Sequence, residues 1–375
     1  MDSSGLLAVE PMQRMRIAGI ASALPKHRYG QHAITEALKG LWRNRLENPE
    51  LLDRLHSRTG VDSRHLAFPL QRYAEFSSWG ETNAAWLEVA GELGVAAIDG
   101  ALRNAGMQRH DLDALFVVSI TGIASPSLDA RLINRLGLRP DIKRTPIFGV
   151  GCAGGAIGLS RAADYARGYP RHCAAILAVE ACSLTLQRDD LSTANLISTG
   201  LFGDGAAAVI VAGEQRAGDL VSEEQHPSAH SRPRILGSGS VFYPDSEGVM
   251  GWEISQQGLR IVLSPRLPDV IEENLAGDVD AFLDRYGLCR ADIGSWVIHT
   301  GGPKVLRAIQ DSLDLRDRDL DRSWDCLSRF GNLSSASVLL VLEDVVANHP
   351  PPPGTYGLLL AMGPGFCSEM VLLQW

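Results

Sequence analysis

Apolar residues fall in two kinds of run along this chain. Short continuous stretches, Ala174 to Val179 and Gly357 to Ala361, show no polar alternation and read as strands buried on both faces. Longer stretches, of which Ala156 to Arg167 is the clearest, hold no internal proline and read as helices. Polar punctuation separates them. Gly213 to Arg234, with Glu223-Glu224-Gln225-His226-Pro227, predicts an exposed linker, and the proline run Pro350 to Pro353 predicts a stiff surface loop.

The pattern occurs twice. Arg109 to Gly122 (RHDLDALFVVSITG) is similar to Arg290 to Gly302 (RADIGSWVIHTGG) at an offset of 181 positions. Each leads into a helical stretch that ends on Leu136-Gly137-Leu138-Arg139 or Leu313-Asp314-Leu315-Arg316. Phe148-Gly149 then matches Phe330-Gly331 at an offset of 182, each ahead of a long helix, and each half closes on one of the buried strands. These repeats predict two similar α/β halves, 1–213 and 235–375, packed about a pseudo-dyad, with equivalent strand and helix ends meeting at the centre.

Composition adds exclusions. The 375 residues, 45% hydrophobic and 21% charged, support a large core. A net charge of −9 without a basic run argues against nucleic acid as a partner. No apolar stretch is long enough to cross a membrane, and Met1 to Met15 lacks the layout of a signal peptide, so a cytoplasmic protein is expected. The six cysteines show neither metal-ligand spacing nor a disulfide framework.

One of those cysteines carries chemistry. In Phe148-Gly149-Val150-Gly151-Cys152-Ala153-Gly154-Gly155 an apolar run breaks on glycines and starts a helix, so the free N–H groups and positive dipole end face the Cys152 sulfur and favour its anion. An activated cysteine accepts acyl groups. Two other readings compete. Most cysteines are small core hydrophobes, and Gly149-x-Gly151-x-x-Gly154 with Glu180 fits a dinucleotide fingerprint, which would make the chain an NAD-dependent oxidoreductase. The duplication favours acyl transfer. It places Cys152 at the helix start of one half, His299 at the end of the other half's first strand, and Asn332 at the helix start equivalent to the Cys152 turn. A thiol, an imidazole and a carboxamide suit acyl transfer with carbon–carbon bond formation.

With these residues in place the chain resembles the type III polyketide synthases, the chalcone synthase-like branch of the thiolase superfamily, from about Arg16 to Trp375. The matching motifs are Gly151-Cys152-Ala153-Gly154-Gly155, Leu201-Phe202-Gly203-Asp204-Gly205-Ala206-Ala207, Ile298-His299-Thr300-Gly301-Gly302-Pro303, Gly331-Asn332-Leu333-Ser334-Ser335-Ala336 and Gly363-Pro364-Gly365-Phe366. The resemblance implies a duplicated five-layered αβαβα fold, a homodimer, acyl-CoA and malonyl-CoA as substrates, and no cofactor beyond these coenzyme A thioesters. It implies Cys152, His299 and Asn332 as the catalytic residues, with a carrier-protein-dependent ketosynthase III as the alternative sharing this triad.

The resemblance also implies a cavity. Phe202 matches a gatekeeping phenylalanine, and a second gatekeeper falls on Ile261. Cys182 replaces a threonine, Trp252 a glycine and Ser125 the methionine that crosses the dimer interface in the plant enzymes. Thr121, Thr185 and Ser334 keep hydroxyls at cavity positions, Ile120 replaces another, and Gly363, Pro364 and Gly365 bound the site. These exchanges, and the similarity of Cys182 to Asp190 and Met362 to Glu369 to bacterial alkylpyrone and alkylresorcinol synthases, lead to the expectation of a medium or long aliphatic starter and pyrone or resorcinol products. Arg54 and Arg58, four apart and expected on one helix face, and Lys304 are the expected phosphate contacts of coenzyme A.

Overall fold

The computed structural model describes residues 15–223 and 232–375. The first half contains β1 (Met15–Ala23), β2 (His27–Gly30), α1 (Gln31–Leu41), α2 (Pro49–His56), β3 (Ser63–Leu66), α3 (Trp79–Ala105), β4 (Ala114–Val118), α4 (Leu128–Leu136) and β5 (Lys143–Ile147). It continues through α5 (Gly154–Gly168), β6 (Cys173–Ala181), α6 (Thr193–Leu201), β7 (Asp204–Ala212) and α7 (Glu214–Glu223). The second half contains β8 (Arg234–Phe242), β9 (Met250–Ser255), β10 (Gly258–Leu263), α8 (Leu267–Asp284), β11 (Ile293–Ile298), α9 (Pro303–Leu313), α10 (Asp321–Phe330), α11 (Ser337–Asn348), β12 (Tyr356–Gly363) and β13 (Cys367–Gln374).

Nine strands form one mixed sheet in the order β11-β12-β13-β8-β1-β7-β6-β4-β5. The order is a pseudo-palindrome. In each half a parallel pair, β4 with β6 or β11 with β12, is followed by antiparallel neighbours that lead to β1 or β8. The halves join where Met15 and Arg16 pair with Ile235 and Arg234. Even an ion pair is duplicated: Arg109 binds Asp99 and Arg290 binds Asp280.

Burial explains the layering. β6 is CAAILAVEA and buried at every position, as a strand covered on both faces must be. One core lies between α3 and the first half of the sheet, and another lies between α8, α9 and the second half. Between the two halves sit α5 and α11, whose apolar faces share a core with β7, β12 and β13. The layers run helix, sheet, helix, sheet, helix, which is the five-layered duplicated α/β fold expected. Contact of α5 with α11 and the turn before it is so close that a Cβ on Gly155 would lie 2.8 Å from Val338 and 2.3 Å from the Ser335 carbonyl oxygen in that turn.

Four details correct the sequence reading. The expected linker begins with α7, whose Ala217 and Leu220 are buried, so an amphipathic helix covers part of the core there. Residues 224–231 of that segment, including His226, lie outside the described residues. The halves do not close on β6 and β12, because β7 and β13 follow each as antiparallel partners. Strand β11 is not the first of its half, since β8, β9 and β10 precede it. The helical turns Gly151–Ala153 and Ser334–Ala336 correspond element for element. The repeat has therefore slipped by one residue at this point, and Cys152 matches Ser335 where a constant offset of 182 gives Ser334, with Asn332 at the entry to the equivalent turn.

Candidate active site

The glycines before Cys152 are there for geometry. Gly149 and Gly151 have φ of +90° and +45°, and a Cβ on Gly151 would stand 2.6 Å from the Pro364 ring. The chain thereby turns from β5 into the start of α5 and leaves the Cys152 side chain at the central helix start, 8% exposed. Gly363 lets the end of β12 press on this turn, since its Cβ would meet that of Ala153 at 2.6 Å. Gly365 adopts φ of +65° and passes the chain to the buried Phe366.

Cys152, His299 and Asn332 line one small cavity of about 50 Å³, together with Pro364. His299 is fixed by its backbone, its N–H donating to Leu360 O at 2.9 Å and its carbonyl accepting from Gly301 N at 2.9 Å. Both ring nitrogens are buried without a partner, which leaves them to a ligand. The Asn332 backbone is tied to the other half, donating to Leu201 O and accepting from Gly203 N. Its Oδ1 accepts from Ser334 N at 2.7 Å, so the amide oxygen is occupied and the NH₂ is the end left to donate. Ser334, in the left-handed region at φ of +48°, accepts from the Cys152 thiol at 3.7 Å.

Burial opposes charge at both reactive groups. The Cys152 thiol is pushed up to about 11, chiefly by burial and partly offset by hydrogen bonds from Ser334 and Asn332. The His299 imidazole is pushed down to about 3 by burial alone. The helix start therefore does not by itself hold Cys152 as a thiolate, which corrects the sequence expectation. Both groups line the same small cavity, and burial disfavours the charged form of each.

Glu180 lies beneath this turn. Its Oε2 accepts from Ser119 Oγ, Ile120 N, Thr121 N and Thr121 Oγ at 3.2, 3.1, 3.2 and 2.8 Å, and its Oε1 accepts from Ser335 Oγ. It is fully buried, and burial raises its pKa to about 6. A carboxylate enclosed by five donors has no edge for a ribose, so the dinucleotide reading of Gly149 to Gly154 fails. The same contacts place Thr121 under Glu180 rather than in a cavity. Sequence reasoning missed this cluster because Glu180 sits in an apolar strand and its partners come from two distant segments, Ser119 to Thr121 and Ser335.

A second cavity of about 690 Å³ adjoins the first. Phe202, Trp252 and Ile261 line both cavities and form the wall between them, with the Phe202 and Trp252 ring centroids 6.1 Å apart. Cys182 and Thr185 face the larger space with Ile34, Leu38, Leu66 and Leu70, and Thr185 Oγ donates to Cys182 O at 2.7 Å. Ser125 is exposed and lines neither cavity, so the expected widening there is absent within one chain. Arg54, Arg58 and Lys304 are also exposed and line neither. Arg58 lies beyond α2, which ends at His56, so the two arginines do not share a helix face.

Comparison with known proteins accounts for this arrangement. Residues 20–215 match the N-terminal domain, and residues 235–375 the C-terminal domain, of chalcone and stilbene synthases. The 1,3,6,8-tetrahydroxynaphthalene synthase of Streptomyces peucetius subsp. caesius is 50% identical over 359 residues, 96% of this chain and 93% of that protein. A putative chalcone synthase of Bacillus subtilis is 35% identical over 96% of this chain and 98% of its own length. The solved structure of 1,3,6,8-tetrahydroxynaphthalene synthase from Streptomyces coelicolor A3(2), a bacterial type III polyketide synthase, superposes with a TM-score of 0.87 at 29% identity, covering 96% of this chain and 99% of that one. An opposed cysteine, histidine and asparagine at the centre of a duplicated fold thus accompany full-length similarity, and the chain belongs to the chalcone and stilbene synthase family of type III polyketide synthases, acyl-transferring condensing enzymes that act on coenzyme A thioesters.

Proposed function

We propose that Cys152, His299 and Asn332 divide the reaction as follows. Cys152 attacks a starter thioester, a carbon–sulfur bond forms, and coenzyme A leaves with the thiol proton. Malonyl-CoA then loses carbon dioxide, and the electron pair of the broken bond passes to an enolate whose oxygen is held by donors from His299 and the Asn332 NH₂. The enolate carbon attacks the Cys152 thioester, the Cys152 sulfur leaves, and the lengthened chain returns to Cys152 for the next round. Arg54, Arg58 and Lys304 remain the cationic candidates for the coenzyme A phosphates.

The product is a polyhydroxylated aromatic ring built from malonyl units, the class named for the 50% identical relative. The observation that carries this is the wall of Phe202, Trp252 and Ile261, which confines the space beside Cys152 to about 50 Å³. That suits an acetyl or malonyl group better than a coumaroyl ring. An aliphatic starter is the second reading, favoured by the 690 Å³ cavity behind the wall and its lining of Ile34, Leu38, Leu66 and Leu70. Incubation with labelled malonyl-CoA, alone and with acyl-CoA of increasing length, separates them. A naphthol from malonyl-CoA alone supports the first, pyrones carrying the alkyl chain support the second, and a requirement for a carrier protein overturns both in favour of a ketosynthase III.

The enzyme works as a homodimer in the cytoplasm. The edge strand β5 is exposed over Lys143–Pro146, and Phe148 and Ile123 stand exposed near it, at 46% and 50%. An open strand edge beside apolar side chains is a surface that a second copy would cover. No helix among the described residues is long and apolar enough to cross a membrane.

A further inference from the structure

Trp252 and Ile261 stand opposite each other on β9 and β10, a hairpin that forms a two-stranded sheet apart from the central one. An isolated hairpin is marginally stable in water, so the position of the wall depends on what holds this one. Gln187 holds it. Its side-chain amide donates to the carbonyls of Gln257 in the turn at 3.2 Å and Leu259 on β10 at 3.1 Å, and to Thr185 O at 3.2 Å. Leu259 is buried and lies two residues from Ile261, on the same face of the strand.

The latch is itself fixed. Gln187 is 6% exposed, and its carbonyl accepts from the buried Asn195 amide at 3.0 Å. On the turn, Gly258 takes φ of +104° against the Trp79 ring, where a Cβ would come within 2.7 Å. The tip of the hairpin therefore bears on Trp79 and hangs from Gln187. Gln187 lines neither cavity, and its bonds join the loop carrying Cys182 and Thr185 to the strand carrying Ile261.

We propose that Gln187 is a positioning residue for starter selection, which fixes the Trp252–Ile261 hairpin as the wall between the two cavities so that loss of its donors admits longer acyl chains past that wall. The proposal rests on the reading of Phe202, Trp252 and Ile261 as the limit on starter size. Gln187→Met removes the donors at nearly constant volume, and Trp252→Gly removes the wall itself.

The experiment gives each protein equal concentrations of hexanoyl-CoA and malonyl-CoA and measures the ratio of hexanoyl-primed to malonyl-primed product, with KM and kcat for each starter. Gln187→Met should raise the ratio about tenfold, the scale of one or two net hydrogen bonds, through KM for hexanoyl-CoA. The double variant should give the ratio of Trp252→Gly alone, because Gln187 acts through the hairpin. An unchanged ratio in Gln187→Met beside a changed one in Trp252→Gly overturns the latch, as do multiplicative effects in the double variant. An unchanged ratio in Trp252→Gly overturns the wall and the latch together. Gln187→Glu, of the same shape with a carboxylate in place of the donors, carries the same comparison if Gln187→Met does not fold.

Discussion

Cys152 and His299 are each held neutral by burial and line the same small cavity, so proton transfer from the thiol to the imidazole is the proposed route to a reactive thiolate near neutral pH. His299→Gln should therefore move the midpoint of iodoacetamide alkylation at Cys152 upward by a unit or more; equal midpoints in the two proteins would remove the pair from the mechanism. Asn332 hydrogen-bonds to Cys152 but takes no proton from it. Asn332→Ala should still accept a radioactive acyl group at Cys152 yet decarboxylate malonyl-CoA about a hundredfold more slowly, the scale of one lost oxyanion donor. Loss of loading in that variant equal to the loss in His299→Gln would show the roles to be divided differently. These residues were legible in the sequence because glycine turns and a repeat surround them. Thr121 differs from expectation because a hydroxyl has the same symbol whether it faces a cavity or a buried carboxylate, while Ser125 is exposed at the position that the resemblance puts at the dimer interface.

Two elements govern the site from a distance. Helix α5 lies so close to α11 and the turn before it that Gly155 has no room for a side chain, its Cβ falling against the Ser335 backbone of that turn rather than a movable chain end. Gly155→Ala should cost about 1–3 kcal/mol through overpacking and lower the thermal midpoint, with acyl loading per folded molecule also reduced because the Cys152 turn shifts with α5. An unchanged midpoint would mean that the helices part without strain. The helix pattern was visible in the sequence, whereas the one-residue slip that sets Cys152 against Ser335 appears only when both turns are folded. The hairpin β9–β10 is the opposite case. Its sequence says little, and its importance comes from standing between two cavities that the sequence could not outline.

For the whole molecule, Glu180 and Asp204 give a pH dependence of known sign. Burial raises both to about 6, from 4.5 and 3.8, so the folded state binds their protons more tightly than the unfolded one. Their contribution to stability is present below about 4 and is lost as pH rises to about 6. Glu180→Gln keeps an acceptor for the Ile120 and Thr121 donors, and Ser335 turns to accept from the new amide. The variant should lose less stability than the wild type between pH 4.5 and 6.5, read as the urea midpoint at each pH; parallel curves would assign the slope to other groups. Ligand linkage gives a second check. Coenzyme A should raise the thermal midpoint and NAD should leave it unchanged, and a shift with NAD alone would restore a dinucleotide site.

The duplication, the turns around Cys152, the strand before His299 and the segment holding Asn332 were all legible along the chain, because each depends on residues near one another: glycines for positive φ, continuous apolar runs for strands covered on both faces, helical runs free of proline. From these the family was readable. Tertiary structure alone decided that Glu180 is a buried acceptor rather than a ribose ligand, that Ser125 faces outward, that the helix start does not suffice to ionise Cys152, and that Phe202, Trp252 and Ile261 meet in one wall. The physical reason is common to all four. Burial, cavity shape and the charge of a buried group depend on residues far apart in the chain, and these surroundings exist only once the two halves have closed on α5 and α11.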